Sequence, residues 1–183
     1  MIHTFAVYVD NKPGVLNRVA SLFRRRAFNI ESLTVGHTET PGVSRMTVVV
    51  DTDEYGARRL EAHLYKLVPV RRVDDITNTP SIARDLALVK VAATGEARTH
   101  VMQLVDVYRA RIVDVGPESL VVETTGTEDK IDSLVEVLRP YGVIELVRTG
   151  RVSMIRGIVQ RRNGAVRGAP ATDGSGDVSG CSV

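Results

Sequence analysis

The heptapeptide Asp10-Asn11-Lys12-Pro13-Gly14-Val15-Leu16 marks the point at which a strand pattern changes to a helix pattern. Residues 4–9 before it are rich in β-formers and have the length of one strand. Pro13 suits the first turn of a helix, because its φ is preset and its missing N–H would be unpaired there. A second polar point, Asn29, precedes the next strand pattern. The two points bracket one apolar helix and predict two halves of a small-ligand site.

Hydrophobic spacing after the heptapeptide predicts a βαββαβ unit. The first helix has one apolar stripe at helical spacing: Val15, Leu16, Val19, Ala20, Leu22 and Phe23. Strand patterns follow at residues 30–36, 45–51 and 70–76, with a Pro-Gly hairpin loop after the first and an amphipathic helix before the last. This order with short crossovers predicts a ferredoxin-like α+β sandwich, with both helices on one face of the sheet.

The second half repeats the order of elements but not the sequence. Strand patterns are predicted at residues 86–93, 112–115, 120–125 and 143–147, with the last strand extending as far as 151 in one interpretation. The predicted architecture is therefore two consecutive ferredoxin-like βαββαβ sandwiches. The divisions are a first domain at 1–77, a linker at 78–85, a second domain at 86–157 and a disordered tail at 158–183, which is poor in large apolar residues.

Composition limits the function classes. The chain has 183 residues and 43% hydrophobic content, which is enough for two small cores. No apolar run approaches the roughly 18 residues that cross a bilayer, and no leader pattern is evident, so a cytoplasmic location is expected. From residue 156 onward there are four arginines and two aspartates, which account for the whole formal charge of +2. The neutral remainder favours neither nucleic acid nor a membrane surface as partner. The single Cys181 predicts no disulfide.

Three groups of polar residues have alternative interpretations. Residues 24–26 are all arginine at a predicted helix end, where the macrodipole favours cations, and a phosphate-binding patch is the alternative. Asp51, Asp53 and Glu54 resemble a metal-binding cluster, but acidic residues before a helix are more often caps. The four histidines lie in different elements without metal-ligand spacing: His3, His37, His63 and His100. No metal site and no independent active site are predicted.

The heptapeptide and Asn29 have the chemistry to bind an α-amino acid. Free N–H groups at a helix start, with Gly14 allowing close approach, suit a carboxylate. Asn11 and Asn29 can accept from an ammonium group and donate to an oxygen; the alternative is that both merely cap turns. The first two strands run parallel in this topology, so the two points lie at opposite ends of one subunit. Pairing of the second, edge strand with that of another copy would bring them together, which predicts a pocket only in a homodimer.

Several blocks in order resemble the small regulatory subunit of acetolactate (acetohydroxyacid) synthase, an ACT-domain family. They are Lys-Pro-Gly-Val-Leu-Asn-Arg-Val-Ala-Ser-Leu-Phe at 12–23, Phe-Asn-Ile-Glu-Ser-Leu-Thr-Val at 28–35, Ser-Arg-Met-Thr at 44–47, Lys-Leu-Val at 66–68, Asp-Val-Gly-Pro-Glu-Ser-Leu at 114–120 and Ser-Met-Ile-Arg-Gly at 153–157. The resemblance covers residues 2–157. The sequence departs from the family's pattern at Ala27, where a glycine is common.

The resemblance implies a non-catalytic chain with an N-terminal ACT domain and an ACT-like second domain. A branched-chain amino acid, typically valine, would bind at the dimer interface and inhibit the catalytic large subunit of a transferase. The implied contacts are Asn11, Gly14, Val15 and Leu16 from one chain, with Asn29 and Ile30 from the other. The chain itself would bind no cofactor, since thiamine diphosphate, magnesium and FAD would belong to the large subunit.

Two other functions share this pattern of elements. One is a stand-alone ACT-type amino-acid sensor that regulates a different enzyme. The other is an RNA-binding module, because a common RNA-binding fold has the same element order and stacks bases on aromatic side chains of its first and third strands. The third strand here, residues 45–51, has no aromatic residue, and the body of the chain has no net positive charge. Both features argue against RNA binding.

Overall fold

A computed structural model of the chain describes residues 1–157, which form two α+β units. The predicted tail at 158–183 lies outside the described residues. The first unit contains β1 (Ile2–Asp10), α1 (Val15–Arg25), β2 (Ile30–His37), β3 (Val43–Asp51), α2 (Glu54–Leu64) and β4 (Val70–Asp75). The second contains β5 (Ser81–Ala92), α3 (Gly95–Val107), β6 (Arg111–Val115), β7 (Ser119–Gly126), α4 (Glu128–Leu138), a 3₁₀ turn (Arg139–Tyr141), β8 (Val143–Arg148) and β9 (Val152–Ile155). No helix in this part of the chain is both long and apolar enough to span a membrane.

The first sheet has the strand order β2-β3-β1-β4, with antiparallel neighbours. Alternate residues of β1 face the two helices, and Phe5 and Val7 are fully buried there. Phe23 of α1 and Leu60 of α2 close the core from the other side. The order leaves β2 at the edge of the sheet, as the topology predicts.

The second sheet repeats this arrangement as β6-β7-β5-β8. Its core is equally apolar, with Val89 of β5, Val101 of α3 and Leu134 of α4 all fully buried. The α+β class and the two ferredoxin-like sandwiches are therefore confirmed.

The start of the second unit differs from the prediction. β5 begins at Ser81, so residues 81–85, expected in the linker, belong to a strand instead. Residues 81–84 pair with β9, which the sequence did not predict, so that Ser81 lies opposite Ile155 and Arg84 opposite Val152. The physical reason is that this ladder joins distant parts of the chain, whose local composition favours a strand only weakly.

Asp53 acts as a helix cap. Its carboxylate accepts a hydrogen bond from the Gly56 N–H at 2.6 Å, at the first turn of α2. Glu54 follows in that turn, where negative charge complements the helix dipole. Asp53 therefore caps α2, while Asp51 pairs with the Met1 ammonium group at 2.6 Å.

Candidate functional site

The first predicted half of the site is a turn held by backbone and ionic contacts. The Asp10 N–H donates to the Pro69 carbonyl at 2.8 Å, and the Asn11 N–H donates to the Gly42 carbonyl at 2.8 Å. The Asp10 carboxylate lies 2.6 Å from Arg71 Nε and 3.3 Å from Lys12 Nζ. The hydrogen bond from Arg71, followed by that from Lys12, lowers the pKa of Asp10 despite partial burial. The turn is thus fixed from both sides, while the Asn11 side chain stays exposed.

The start of α1 has unpaired donors. Gly14 is its N-cap with φ 80°, a left-handed conformation that favours glycine, and no side chain caps the helix. No acceptor among residues 1–157 is hydrogen-bonded to the N–H of Leu16 or Asn17. Within residues 1–157, no heavy atom outside the turn lies within 4 Å of the position that a Cβ would occupy at Gly14. A small anion can therefore approach two free N–H groups at the positive end of the helix.

The second predicted half is positioned by the end of α1. Phe28 N–H donates to the Phe23 carbonyl at 3.1 Å and Ala27 N–H to the Arg24 carbonyl at 3.2 Å, which is a Schellman motif. The rings of Phe23 and Phe28 pack edge-on at 6.5 Å, as the motif favours. Ala27 has φ 56°, a left-handed conformation that glycine adopts more easily than alanine. This exit delivers Asn29, exposed, to the start of β2, where its Nδ2 donates to the Glu31 carboxylate.

The two halves lie at opposite ends of β2 within one chain. Ile30 pairs with Val50 at one end of β3, and His37 pairs with Ser44 at the other. Asp10, just before Asn11, lies opposite Val43, at the His37 end. Seven residues of extended strand separate the ends by about 23 Å. One chain therefore does not bring Asn11 and Asn29 together.

Sequence reasoning missed two residues at the Asn11 end of β2. His37 Nδ1 lies 3.5 Å from Asn11 Nδ2. Val35 shares the helix side of the sheet with Met46 and is 43% exposed, and Leu16 in the first turn of α1 is 45% exposed. The strand register was needed to find them, because the sequence alone does not show which face of an edge strand is covered.

The other face of β2 contacts the second unit. The Arg151 N–H donates to Ser32 Oγ at 3.0 Å, and Thr34 Oγ1 donates to the carbonyl of Arg151 at 3.1 Å or of Thr149 at 3.4 Å. Arg45 donates to the Ser153 carbonyl. We call these contacts between the first sheet and residues 149–153 the joint.

The Arg151 side chain extends the joint into both units. Its guanidinium donates to Thr4 Oγ1 at 3.3 Å in β1 and to Glu128 Oε2 at 2.7 Å in α4. On the same face of the first sheet, Ala6 and Thr47 are almost fully buried. The strand that carries Asn29 is thus attached directly to the second unit.

A cavity of about 650 Å³ lies next to the joint. Asp85 lines it and is only 7% exposed, yet no donor among residues 1–157 is hydrogen-bonded to its carboxylate. Burial raises the pKa of Asp85, and Glu128 raises it further, whereas Arg151 and Arg148 lower it. The ionised carboxylate is therefore held in an unfavourable position between the units.

Comparison with known proteins identifies both units. Residues 5–72 match the family model for the AHAS small subunit-like ACT domain, and residues 84–157 match that for the small subunit of acetolactate synthase. A probable acetolactate synthase small subunit from Archaeoglobus fulgidus is 50% identical over 86% of this chain and 98% of its own length. The acetolactate synthase small subunit of Bacillus subtilis is 46% identical over 84% of this chain and 90% of its own.

A solved structure agrees with these relatives. The crystal structure of the acetolactate synthase small subunit from Thermotoga maritima superposes with a TM-score of 0.81 at 39% identity. The superposition covers 87% of this chain and 99% of that one. The similarity extends over both units and does not stop at the first.

Proposed function

Because the chain belongs to the family of acetolactate synthase small subunits, we propose that it senses valine or another branched-chain amino acid. In this proposal it is a non-catalytic regulatory subunit that activates the catalytic large subunit and transmits feedback inhibition to it. Thiamine diphosphate, magnesium and FAD would be bound by the large subunit and not by this chain.

The observation that carries the ligand class is the donor set at the start of α1. The free N–H groups of Leu16 and Asn17 suit an α-carboxylate. The amide oxygens of Asn11 and Asn29 suit an α-ammonium group. Exposed Leu16 and Val35 offer apolar contact to a branched side chain at the same end of the first unit. This combination fits an aliphatic amino acid better than a polar one.

The edge position of β2 supports a dimeric site. An unpaired edge strand presents free N–H and C=O groups, and antiparallel pairing with a second copy satisfies them. A two-fold axis across such a pair sets Asn29 and Ile30 of one chain against the Asn11 turn of its partner. Each chain then supplies both halves, but to different sites.

The joint supports a route from this site to the second unit. An amino acid that bridges two chains stabilises the dimer by mass action and restrains β2. Ser32 and Thr34 lie on that strand, and both hydrogen-bond residues 149–151. Any change in the position of β2 then changes the second unit, which is the differential contact that allosteric coupling requires.

Calorimetry of the purified full-length chain with valine tests the proposal. Valine is expected to release heat and to shift the chain toward dimer, whereas Asn29→His removes the heat because the larger imidazole ring does not place an acceptor where the amide oxygen lies. Asn78→His, an exposed asparagine outside the site, is the matched control and retains binding. Absence of heat and of dimer stabilisation with every branched-chain amino acid would refute the assignment.

A further inference from the structure

The C-terminal ends of α1 and α2 enclose a second cleft. Its volume is about 320 Å³, and six residues line it: Leu22, Arg25, Arg26, His63, Lys66 and Leu67. We call it the basic cleft. It combines part of the arginine run at 24–26 with residues that are close to it only because the helices pack together.

The basic cleft has uncompensated positive charge. Its lining contains three basic side chains, Arg25, Arg26 and Lys66, and no carboxylate. Within residues 1–157, neither Arg25, Arg26 nor Lys66 forms an ion pair. Another exposed arginine of the same unit does: Arg58 Nη2 lies 3.2 Å from Glu54 Oε1.

Helix ends explain only part of this pattern. Carbonyl groups at a helix C-terminus favour nearby cations, so one or two basic residues are expected at each end. The dipoles do not explain His63, whose two ring nitrogens are both buried and have no hydrogen-bond partner among the described residues. His3, by contrast, has Asp75 and Thr77 within reach of its Nδ1. The ring N–H of His63 thus lacks an acceptor in a site surrounded by cations.

We propose that the basic cleft binds a phosphate group, as inorganic phosphate or as the phosphoryl end of a small metabolite. The guanidinium groups of Arg25 and Arg26 present N–H pairs that match phosphate oxygens. Lys66 adds a point charge, and the His63 ring supplies a buried donor. A dianion balances three cations better than a single carboxylate does. The volume is at the low end of small-molecule sites and suits a phosphoryl group better than a whole nucleotide.

Phosphate binding can be followed through the pKa of His63. Burial lowers the pKa of His63, and the charges of Arg26, Lys66 and Arg59 lower it further. The charged groups around the ring come from both helices: Arg25 ends α1 and Arg26 follows it, while Arg59 lies on α2 and Lys66 just after it. A bound dianion opposes these charges, so the pKa of His63 rises on binding.

Nuclear magnetic resonance of the full-length chain tests this inference. The His63 ring signal, assigned with His63→Gln, is followed against pH in inorganic phosphate and in sodium chloride of equal ionic strength. Phosphate is expected to raise the pKa of His63 while chloride does not. Arg26→Gln and Lys66→Gln, both at exposed side chains, are each expected to weaken phosphate binding about tenfold. Arg58→Gln, on the same helix as His63, is the matched control and leaves binding unchanged.

The outcomes separate the possible ligands. Tighter binding of glycerol phosphate than of inorganic phosphate supports a phosphorylated metabolite, and equal binding supports free phosphate. Equal shifts in phosphate and chloride would mean ionic screening only and would overturn the proposal. A His63 signal that moves only when the large subunit is added would identify a protein-docking surface and would also overturn it. Unchanged thermal midpoints show that the variants are folded, and none of these results depends on valine binding.

Discussion

Thr34→Val is the most informative single change in the joint. The substitution removes a hydroxyl that bonds to Arg151 at 3.1 Å or to Thr149 at 3.4 Å and keeps the shape and β-branching of the side chain. Thr34 lies on the face of β2 that contacts the second unit, between the two ends of the strand where the halves of the site lie. The change therefore weakens the connection between the units without altering a proposed ligand contact.

The magnitude follows from one hydroxyl proton. Thr34 can donate to only one of its two carbonyl partners at a time, so a single hydrogen bond is lost. Such a bond contributes about 1 kcal/mol net, which corresponds to about fivefold in an equilibrium constant. If the bond is made only in the inhibited state, the valine concentration for half-inhibition of the holoenzyme rises about fivefold. By linkage, valine binding to the isolated chain weakens by at most the same factor.

The assay pairs inhibition curves of the reconstituted holoenzyme with calorimetry of the isolated chain. Thr125→Val is the control, because Thr125 is an exposed strand threonine whose hydroxyl forms no hydrogen bond with the joint. If Thr34→Val binds valine normally and the valine concentration for half-inhibition is unchanged, the joint has no role in transmitting inhibition to the large subunit. An equal loss in Thr125→Val would refute the assignment to Thr34 specifically.

Three further changes test the energetics of the fold. The pKa of Asp85 is raised in the folded chain, so its ionisation costs stability above the unfolded-state pKa of about 3.9. Asp85→Asn is therefore expected to raise the urea midpoint near neutral pH but not near pH 3. A midpoint gain of equal size at both pH values would contradict this. Ala27→Gly relieves a positive φ of 56° and is expected to add about 0.5–1 kcal/mol to the free energy of unfolding; a loss in the same chemical denaturation would contradict the strain argument. Leu60→Ala removes a fully buried side chain and is expected to cost about 3 kcal/mol, measured the same way, and a cost below about 1 kcal/mol would mean that the core collapses around it.

Local patterns predicted most of the elements. The apolar stripe of α1 and the uniform β-rich run of β1 identify their elements from neighbouring residues alone, and Asp53 was recognisable as a cap. β9 and the first part of β5 were not predictable in this way. Their ladder depends on a partner from the far end of the second unit, and neither segment has a strong strand pattern of its own.

The candidate site was likewise predictable only where it consists of local structure. The turn at Asn11 and the helix exit at Ala27 are local structures, and strand direction was enough to place them at opposite ends of β2. The joint could not be predicted from the sequence, because Ser32 and Arg151 are 119 residues apart. The basic cleft was half visible as an arginine run, but His63 joins it only through the packing of α1 on α2.

The shared site can be tested most directly by mixing two inactive variants. Asn11→Ala and Asn29→Ala each remove the amide group from one half of every site in their own homodimers. In a mixed dimer, the unaltered Asn11 of one chain meets the unaltered Asn29 of the other, so one of the two sites is intact. After subunit exchange, calorimetry is expected to recover valine binding at about one site for every four chains. No recovered binding, in a mixture shown to contain the mixed dimer, would contradict a site built from two chains.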